Sequence, residues 1–462
     1  MTGDNPTGDK PSDKPLGLVI TAVILGTVLN PLDGSMTALA LPSMSGDLGV
    51  AGSTVLWAMT LYYLASMAAQ PVMGTLADNF PPRRVLVTGL AVTAVSCAGI
   101  ALSRDITLVL FFRVLQAVGS SAAFPAGLVI VRRACAARGD SPDRPVSVIT
   151  WVNSLAAAIG PLVAGVLVTV VGWRGPSMLS LVLAVAALVI SLIVLRGDSG
   201  ATRRTPAARN VDMPGILLFV VVVGVLQLIL SGVTLGPWAV LPVVLVVAAA
   251  ALVAVERRSS APFFAPRIFR YRQVGVILCV YGAANLVFFL VLTGLPTWLQ
   301  DHRGLTPVGS GVATFPIAVC GVAATLLFSR FVFAGRQRAV AAAALTVVAL
   351  GSVAMLVGGT SVAVAVVAVF GVLMGSPNNI ITLSLQTWLY RVIDDRDTGM
   401  ATGLFQTFRY LGATSATTIV ALTVAAGDSV ASVRSLSLWC LGAAGAALMA
   451  VGVVSAYLRK GR

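Results

Sequence analysis

The sequence predicts an all-α membrane protein: two six-helix bundles with pseudo-two-fold symmetry plus two additional central transmembrane helices, fourteen spans with both termini cytoplasmic. Three observations predict it. Hydrophobic residues make up 57% of the chain and charged residues 10%, with a mean hydropathy of +0.95, whereas soluble domains carry about a quarter charged residues. The apolar residues gather in runs of about 20, the helix length that crosses a hydrocarbon layer, with none of the period-two alternation of a membrane β-barrel. The basic residues sort to alternate connections, the asymmetry that orients helical membrane proteins.

In chain order, residues 1–15 are polar, carry Lys10, Lys14 and three prolines, and read as a disordered cytoplasmic tail. Apolar runs follow at 16–43, 53–77, 84–103, 106–131, 146–171 and 174–195, and these form the first bundle, 16–195. The Arg- and Thr-rich segment 196–212 has no apolar period and reads as a cytoplasmic linker. The region 213–255 fits either one overlong helix or a pair; Ser231-Gly232 and Gly236-Pro237 divide it into two extra transmembrane helices. A second linker, 256–272, leads to runs at 273–300, 309–329, 339–358, 361–390, 399–425 and 435–458, the second bundle being 273–458, with 459–462 as a cytoplasmic tail. Sequence similarity between the halves is faint. Its best trace is Gly335-Arg336-Gln337-Arg338, placed where the first half has Pro81-Pro82-Arg83-Arg84.

The net charge of +14 is topological and does not signal nucleic-acid binding. Of the 31 Lys and Arg, only Arg104, Arg174, Arg303 and Arg434 fall on the outer side, and Arg113 and Arg409 fall within spans. All the others lie inside, so deleting or inverting one span would scramble the pattern. The five cysteines have no metal or redox spacing, and the one histidine, His302, is expected in an outer loop.

An ionised side chain at the bilayer centre costs at least ~2.5 kcal/mol, so a charge retained there is a functional candidate. Three qualify: Asp33, Arg113 and Arg409. Asp33 lies roughly 15 Å and Arg113 roughly 10 Å inside the outer ends of their spans, by helical rise, so the two can neutralise each other if those spans are neighbours. Asp33 is then a proton-responsive site, half of a static pair, or a cap on a helix broken at Pro31 and Gly34, and a static pair is a costly device where two leucines would serve. Arg409 has no carboxylate within its own bundle's spans, which leaves carbonyls, Gln406, water or an anionic substrate group as partners. Asn30, Gln116, Trp151, Asn153, Asn285, Phe289, Asn378 and Gln406 are candidates to line a substrate cavity, or else to form interhelical bonds. Around Gly160, Pro161 and Gly165 the residues are small at helical spacing, which lets a neighbouring helix approach.

These residues carry a resemblance to the major facilitator superfamily, and within it to the fourteen-span drug:proton antiporter group. Gly74-Thr75-Leu76-Ala77-Asp78 followed by Arg83 and Arg84 is similar to the loop motif between spans 2 and 3, which implies a cytoplasmic latch formed by Gly74, Asp78, Arg83 and Arg84. Leu32-Asp33 through Ala40-Leu41-Pro42 resembles the group's first-span signature. Arg113-Val114-Leu115-Gln116 through Gly119 resembles the span-4 motif, whose arginine implies proton coupling. Ile159-Gly160-Pro161 through Gly165 resembles the antiporter motif, and Gly403-Leu404-Phe405 with Arg409 and Gly412 resembles the span-13 pattern. Departures are Pro81-Pro82 and Asn79 in the loop motif, and Ala156 and Ala164 where the antiporter motif has glycines.

The resemblance implies a proton-coupled efflux transporter that exports hydrophobic or amphiphilic small molecules, such as drugs, antibiotics or secondary metabolites, by alternating access. The alternative is an uptake symporter or a lipid or metabolite transporter of the same fold. The expected partners are the substrate, protons and the lipid bilayer. The chain is expected to be a monomer in a bacterial cell membrane, without cofactor, metal or nucleic acid. Asp33 standing alone against two buried arginines favours a neutral or anionic cargo over a dication. An enzyme is disfavoured because a single histidine and no intramembrane acid–base cluster leave few catalytic options.

Overall fold

The computed structural model describes residues 15–195, 213–230, 240–259, 272–305, 307–358, 364–394, 397–423 and 429–460, and these form helices and short turns without a strand. Helix is the solution lipid imposes on an open chain, because each backbone group must be satisfied within its own segment. The first half comprises α1 (Leu16–Leu48), α2 (Gly52–Asn79), α3 (Pro82–Leu102), α4 (Ile106–Ser120), α5 (Ala123–Ala136), α6 (Asp143–Val171) and α7 (Gly175–Val194). Then come α8 (Met213–Leu230) and α9 (Val240–Arg258). The second half comprises α10 (Arg272–Phe289), a π turn at Leu290–Gly294, α11 (Leu295–Arg303) and α12 (Pro307–Phe331), followed by α13 (Gln337–Gly358), α14 (Val364–Gly375), α15 (Asn378–Val392), α16 (Thr398–Thr423) and α17 (Ser429–Lys460).

The two halves repeat one packing scheme. In the first, α1 packs on α6 and α3 on α7; in the second, α10 packs on α16 and α13 on α17. Each half also breaks one helix at the same place in the order. Between α4 and α5 the Ser121 hydroxyl donates to the Ala117 carbonyl at 2.6 Å, and between α14 and α15 the break falls at Ser376-Pro377. Each half has its own core, with Leu86, Leu90 and Ile130 in one and Ile277, Leu290 and Leu345 in the other. The α8–α9 pair packs outside the bundles. Phe219 and Val223 of α8 are buried against Met67, Ala68 and Tyr410, so α8 covers the seam between the halves.

Eight helical stretches among the described residues are long and apolar enough to cross a membrane. One of them, Gly309–Gly358, doubles back at Gly335, whose φ of 86° suits glycine alone. The helices α2, α6 and α16 have 28, 29 and 26 residues but are not among the eight. All three bear polar groups that meet across the seam, and a helix facing protein rather than lipid needs less apolar surface.

Several expected boundaries move. The tail 1–15, apart from Pro15, and the linker 196–212 fall outside the described residues. Helix α9 runs through Arg258, so the linker expected at 256–272 starts later, and residues 260–271 of it fall outside the described set. Helix α17 continues to Lys460, into the tail expected at 459–462. His302 lies in the last turn of α11, its ring 6.3 Å from that of Trp298, and not in a loop. Beyond the apolar run of span 1, Asp47 accepts from the Trp173 indole at 2.8 Å and from Arg174 at 2.6 Å, and these bonds hold its carboxyl below the ordinary range.

Candidate functional site

Asp33 lies midway along α1, which stays helical through Pro31 and Gly34. Its Oδ2 accepts from the Arg113 guanidinium at 2.9 Å, with Asp33 2% and Arg113 3% exposed. The second carboxylate oxygen accepts from Ser180 of α7 at 3.0 Å. Arg113 also donates to Gln116 Oε1 at 2.7 Å and to the Thr37 hydroxyl, one turn beyond Asp33 on α1. Gln116 in turn donates to Cys97 Sγ at 3.2 Å. Helices α1, α4 and α7 thus supply the direct hydrogen-bond partners of one ion pair and occupy most of its hydrogen-bonding capacity, the condition under which a buried pair persists. Packing explains how α1 comes so close to α6: a Cβ at Gly160 would collide with the Ser35 hydroxyl, while Ala156 and Ala164 pack beside Leu32 and Met36. Gly165 meets only ordinary contact there, and the Pro161 side chain is outside the described ones.

A second polar chain leads away from this pair. The Arg113 guanidinium lies 5.2 Å from the centre of the Tyr62 ring. The Tyr62 hydroxyl is 3.4 Å from Ser120 Oγ, and Ser120 accepts from the Asn30 amide at 3.2 Å. Asn30 Oδ1 accepts from the Tyr410 hydroxyl of α16, so the chain passes from the first half to the second. Tyr63 reinforces it by donating to the Gly34 carbonyl at 3.2 Å while its ring sits 5.9 Å from that of Tyr410.

Next to Tyr410 in sequence, Arg409 lines a narrow cavity of about 50 Å³ between the halves. Asn153, Asn285, Asn378 and Gln406 line it too. Asn30 and Gln116 do not; they belong to the polar chain and the ion pair. Trp151 and Phe289 also lie off the lining, where their sequence neighbours Thr150 and Phe288 stand instead. Helical phase is the reason, since a neighbour in sequence points 100° away on a 3.6-residue helix. The remaining wall includes Phe124, Ser154, Tyr281, Asn379, Gln386 and Phe405, with the Tyr281 and Phe405 rings stacked 3.5 Å apart.

At the end of the molecule that the basic residues assign to the cytoplasm, the halves touch backbone to backbone. A Cβ on Gly74 would collide with the Gly399 carbonyl, and one on Gly403 with the Gln70 carbonyl. Asp78, just beyond span 2, accepts from the Gly399 and Met400 N–H groups at 2.8 and 2.9 Å, capping the first turn of α16. Its partners are these N–H groups and not Arg83 or Arg84; the nearby cation that acts on it is Arg133. Burial lifts its carboxyl to about 7, against the pull of both N–H bonds and Arg133 and with a push from Asp397. Further inward contacts are Thr150 to Gln386 at 3.0 Å and Arg132 lying 5.2 Å over the Tyr390 ring. This end is shut.

Ser180, Thr37, Tyr62 and Tyr410 carry the network without having drawn attention in the sequence. Among the described residues no three His, Cys, Asp or Glu side chains gather as metal ligands do.

Residues 23–417 match the family model described as Major Facilitator Superfamily. The chain is 29% identical over 415 residues to an uncharacterized MFS-type transporter, YwoD, of Bacillus subtilis (strain 168), covering 89% of this chain and 91% of that one. It is 25% identical over 416 residues to the multidrug transporter protein MdtP of the same organism, covering 87% and 74%. Among solved structures, the human organic anion transporter MFSD10 (TETRAN) superposes with a TM-score of 0.67 at 14% identity, covering 95% of this chain and 99% of that one. At that identity the likeness concerns the fold alone.

Proposed function

The chain belongs to the Major Facilitator Superfamily, and from that premise we propose that it is a proton-coupled antiporter exporting hydrophobic or amphiphilic small molecules across the cell membrane. One observation carries the reading: a buried carboxylate, Asp33, is bound to a guanidinium whose other contacts continue toward the cargo cavity. Protonating Asp33 cancels its attraction for Arg113, which then keeps Gln116, Thr37 and the Tyr62 face. Arg113 is free to shift, and Tyr62 and Asn30 feel that shift at the contact with Tyr410. The closed inner end opens and the outer end closes, and loss of the proton to the cytoplasm restores the pair. Coupling needs an element with two arrangements that both ligands bias, and the seam between α1–α2 and α16 supplies it.

The name of the relative MdtP supports export of varied compounds, and the aromatic, amide-rich cavity suits amphiphiles. Gly160 at the α1–α6 crossing fits the antiporter motif as well. The test is an efflux assay in proteoliposomes under an imposed pH gradient. Asp33→Asn should insert normally yet lose gradient-driven efflux; unchanged efflux would remove the mechanism, and accumulation in place of depletion would indicate uptake by the same fold.

A further inference from the structure

We infer that the cavity selects an organic anion: an aromatic body carrying one carboxylate-like group held by Arg409 and a hydrogen-bond donor facing Asn153 and Asn378. The inference rests on the transport reading and names the cargo class for that cavity.

Charge is the first argument. Arg409 is the charged side chain lining the cavity, and among the described residues no carboxylate or hydrogen-bond acceptor holds it. Asp33, the carboxylate buried in the first half, is already committed to Arg113 and Ser180. A half-buried guanidinium left without a counter-charge is expensive, and a ligand carboxylate matches its planar fork in two parallel bonds. Helix α15 adds to the same field, because it begins at Asn378 and its first residues, Asn378 and Asn379, line the cavity. A helix start carries partial positive charge and free N–H groups.

The acceptors form the second argument. Asn153 Oδ1 and Asn378 Oδ1 are buried without a hydrogen-bond partner, on residues 7% and 8% exposed, one from each half. The Asn153 amide nitrogen is already committed to Thr27 Oγ1 at 3.1 Å and the Ile149 carbonyl at 2.8 Å, which fixes its oxygen as the free atom. A buried acceptor without a donor costs ~1–3 kcal/mol, and a hydroxyl or N–H on the cargo would remove that cost. Phe124, Phe288 and the stacked Tyr281–Phe405 pair supply flat apolar walls for a ring system. A cation would meet Arg409 and the α15 start with no carboxylate in the lining to offset either.

Three probes of one shape separate the possibilities: naphthoate, naphthylmethanol and naphthylmethylammonium, titrated by fluorescence against the full chain in lipid nanodiscs. The wild type should bind naphthoate at least about tenfold tighter than the ammonium compound. A ring hydroxyl on naphthoate should tighten binding further. Arg409→Gln should lose about tenfold for naphthoate with little change for naphthylmethanol, as expected for a charge-assisted bond, and Arg409→Lys should recover part of the loss. Equal losses for naphthoate and naphthylmethanol would make Arg409 structural, and a preference for the ammonium probe would overturn the inference outright. Proton-driven transport that favours the ammonium probe would sink the anion site and leave the antiporter standing. Arg409-dependent naphthoate binding without any proton-driven movement would do the reverse.

Discussion

The Tyr410 hydroxyl donates to the Asn30 amide oxygen across the two halves, one helical turn from the Asp33 carboxylate on α1 and one residue from the cavity cation Arg409 on α16. This contact joins the helix that carries Asp33 to the helix that carries the cavity cation. Any account in which proton and cargo sense each other has to explain what it does.

Removing the Tyr410 hydroxyl should weaken coupling while sparing each site. A buried hydrogen bond contributes ~0.5–1.5 kcal/mol, so Tyr410→Phe should lower gradient-driven efflux by about three- to tenfold. Naphthoate affinity should change less than twofold. Parallel loss of binding and efflux would mean that Tyr410 shapes the cavity instead.

The ion pair gives a stability prediction. Removing one partner from a buried pair costs ~3–5 kcal/mol because the other charge is stranded, whereas replacing both with apolar residues is often neutral. Arg113→Leu alone should therefore unfold at a markedly lower temperature in detergent than the double variant Asp33→Leu/Arg113→Leu. A double variant as unstable as the sum of the single ones would show that the two side chains do not act as a pair.

Closure of the inner end depends on glycine at the α2–α16 crossing. A methyl group at position 403 would press on the Gln70 backbone, which cannot move aside as a side chain can. Gly403→Ala should lengthen spin-label distances between the α2 end at Asp78 and the α16 end at Thr398. Distances unchanged from the wild type would mean that the crossing tolerates the added carbon.

The same end should respond to pH through Asp78. Burial holds its carboxyl at about 7 when closed, against an ordinary value of about 3.9 in water when open. The closed end therefore binds the proton more tightly. Its support is complete below the ordinary value and is lost as pH rises through about 7. Spin-label distances should report more open molecules at alkaline pH in the wild type and a flat profile in Asp78→Asn. An opposite slope in the wild type would mean that the two N–H bonds outweigh burial.

What the sequence made legible follows from cost. Asp33 and Arg113 stood out because charge in lipid is penalised, and one criterion identified both members of the pair. The helices were legible from apolar runs. Partner choice was not. Asp78 turned to the N–H groups of Gly399 and Met400, more than three hundred residues away, rather than to neighbouring Arg83 and Arg84. Ser180 and Tyr62 carry no charge and sit in helices without strong amphipathic phase, so nothing local marked them. Of the adjacent pair Phe288 and Phe289, Phe288 lines the cavity and Phe289 does not, a distinction the sequence leaves open because the phase of α10, which gives way to a π turn at Leu290, cannot be read to within one residue.

The central claim is that Asp33 binds the proton exchanged for cargo, and the most direct measurement is proton movement driven by cargo alone. Proteoliposomes would hold a pH dye and an outward naphthoate gradient, with no pH gradient imposed. The wild type should move protons against the flow of naphthoate, while Asp33→Asn should still exchange naphthoate down its gradient with the dye silent. An Asp33→Asn protein that moves protons against its cargo as the wild type does would contradict the account.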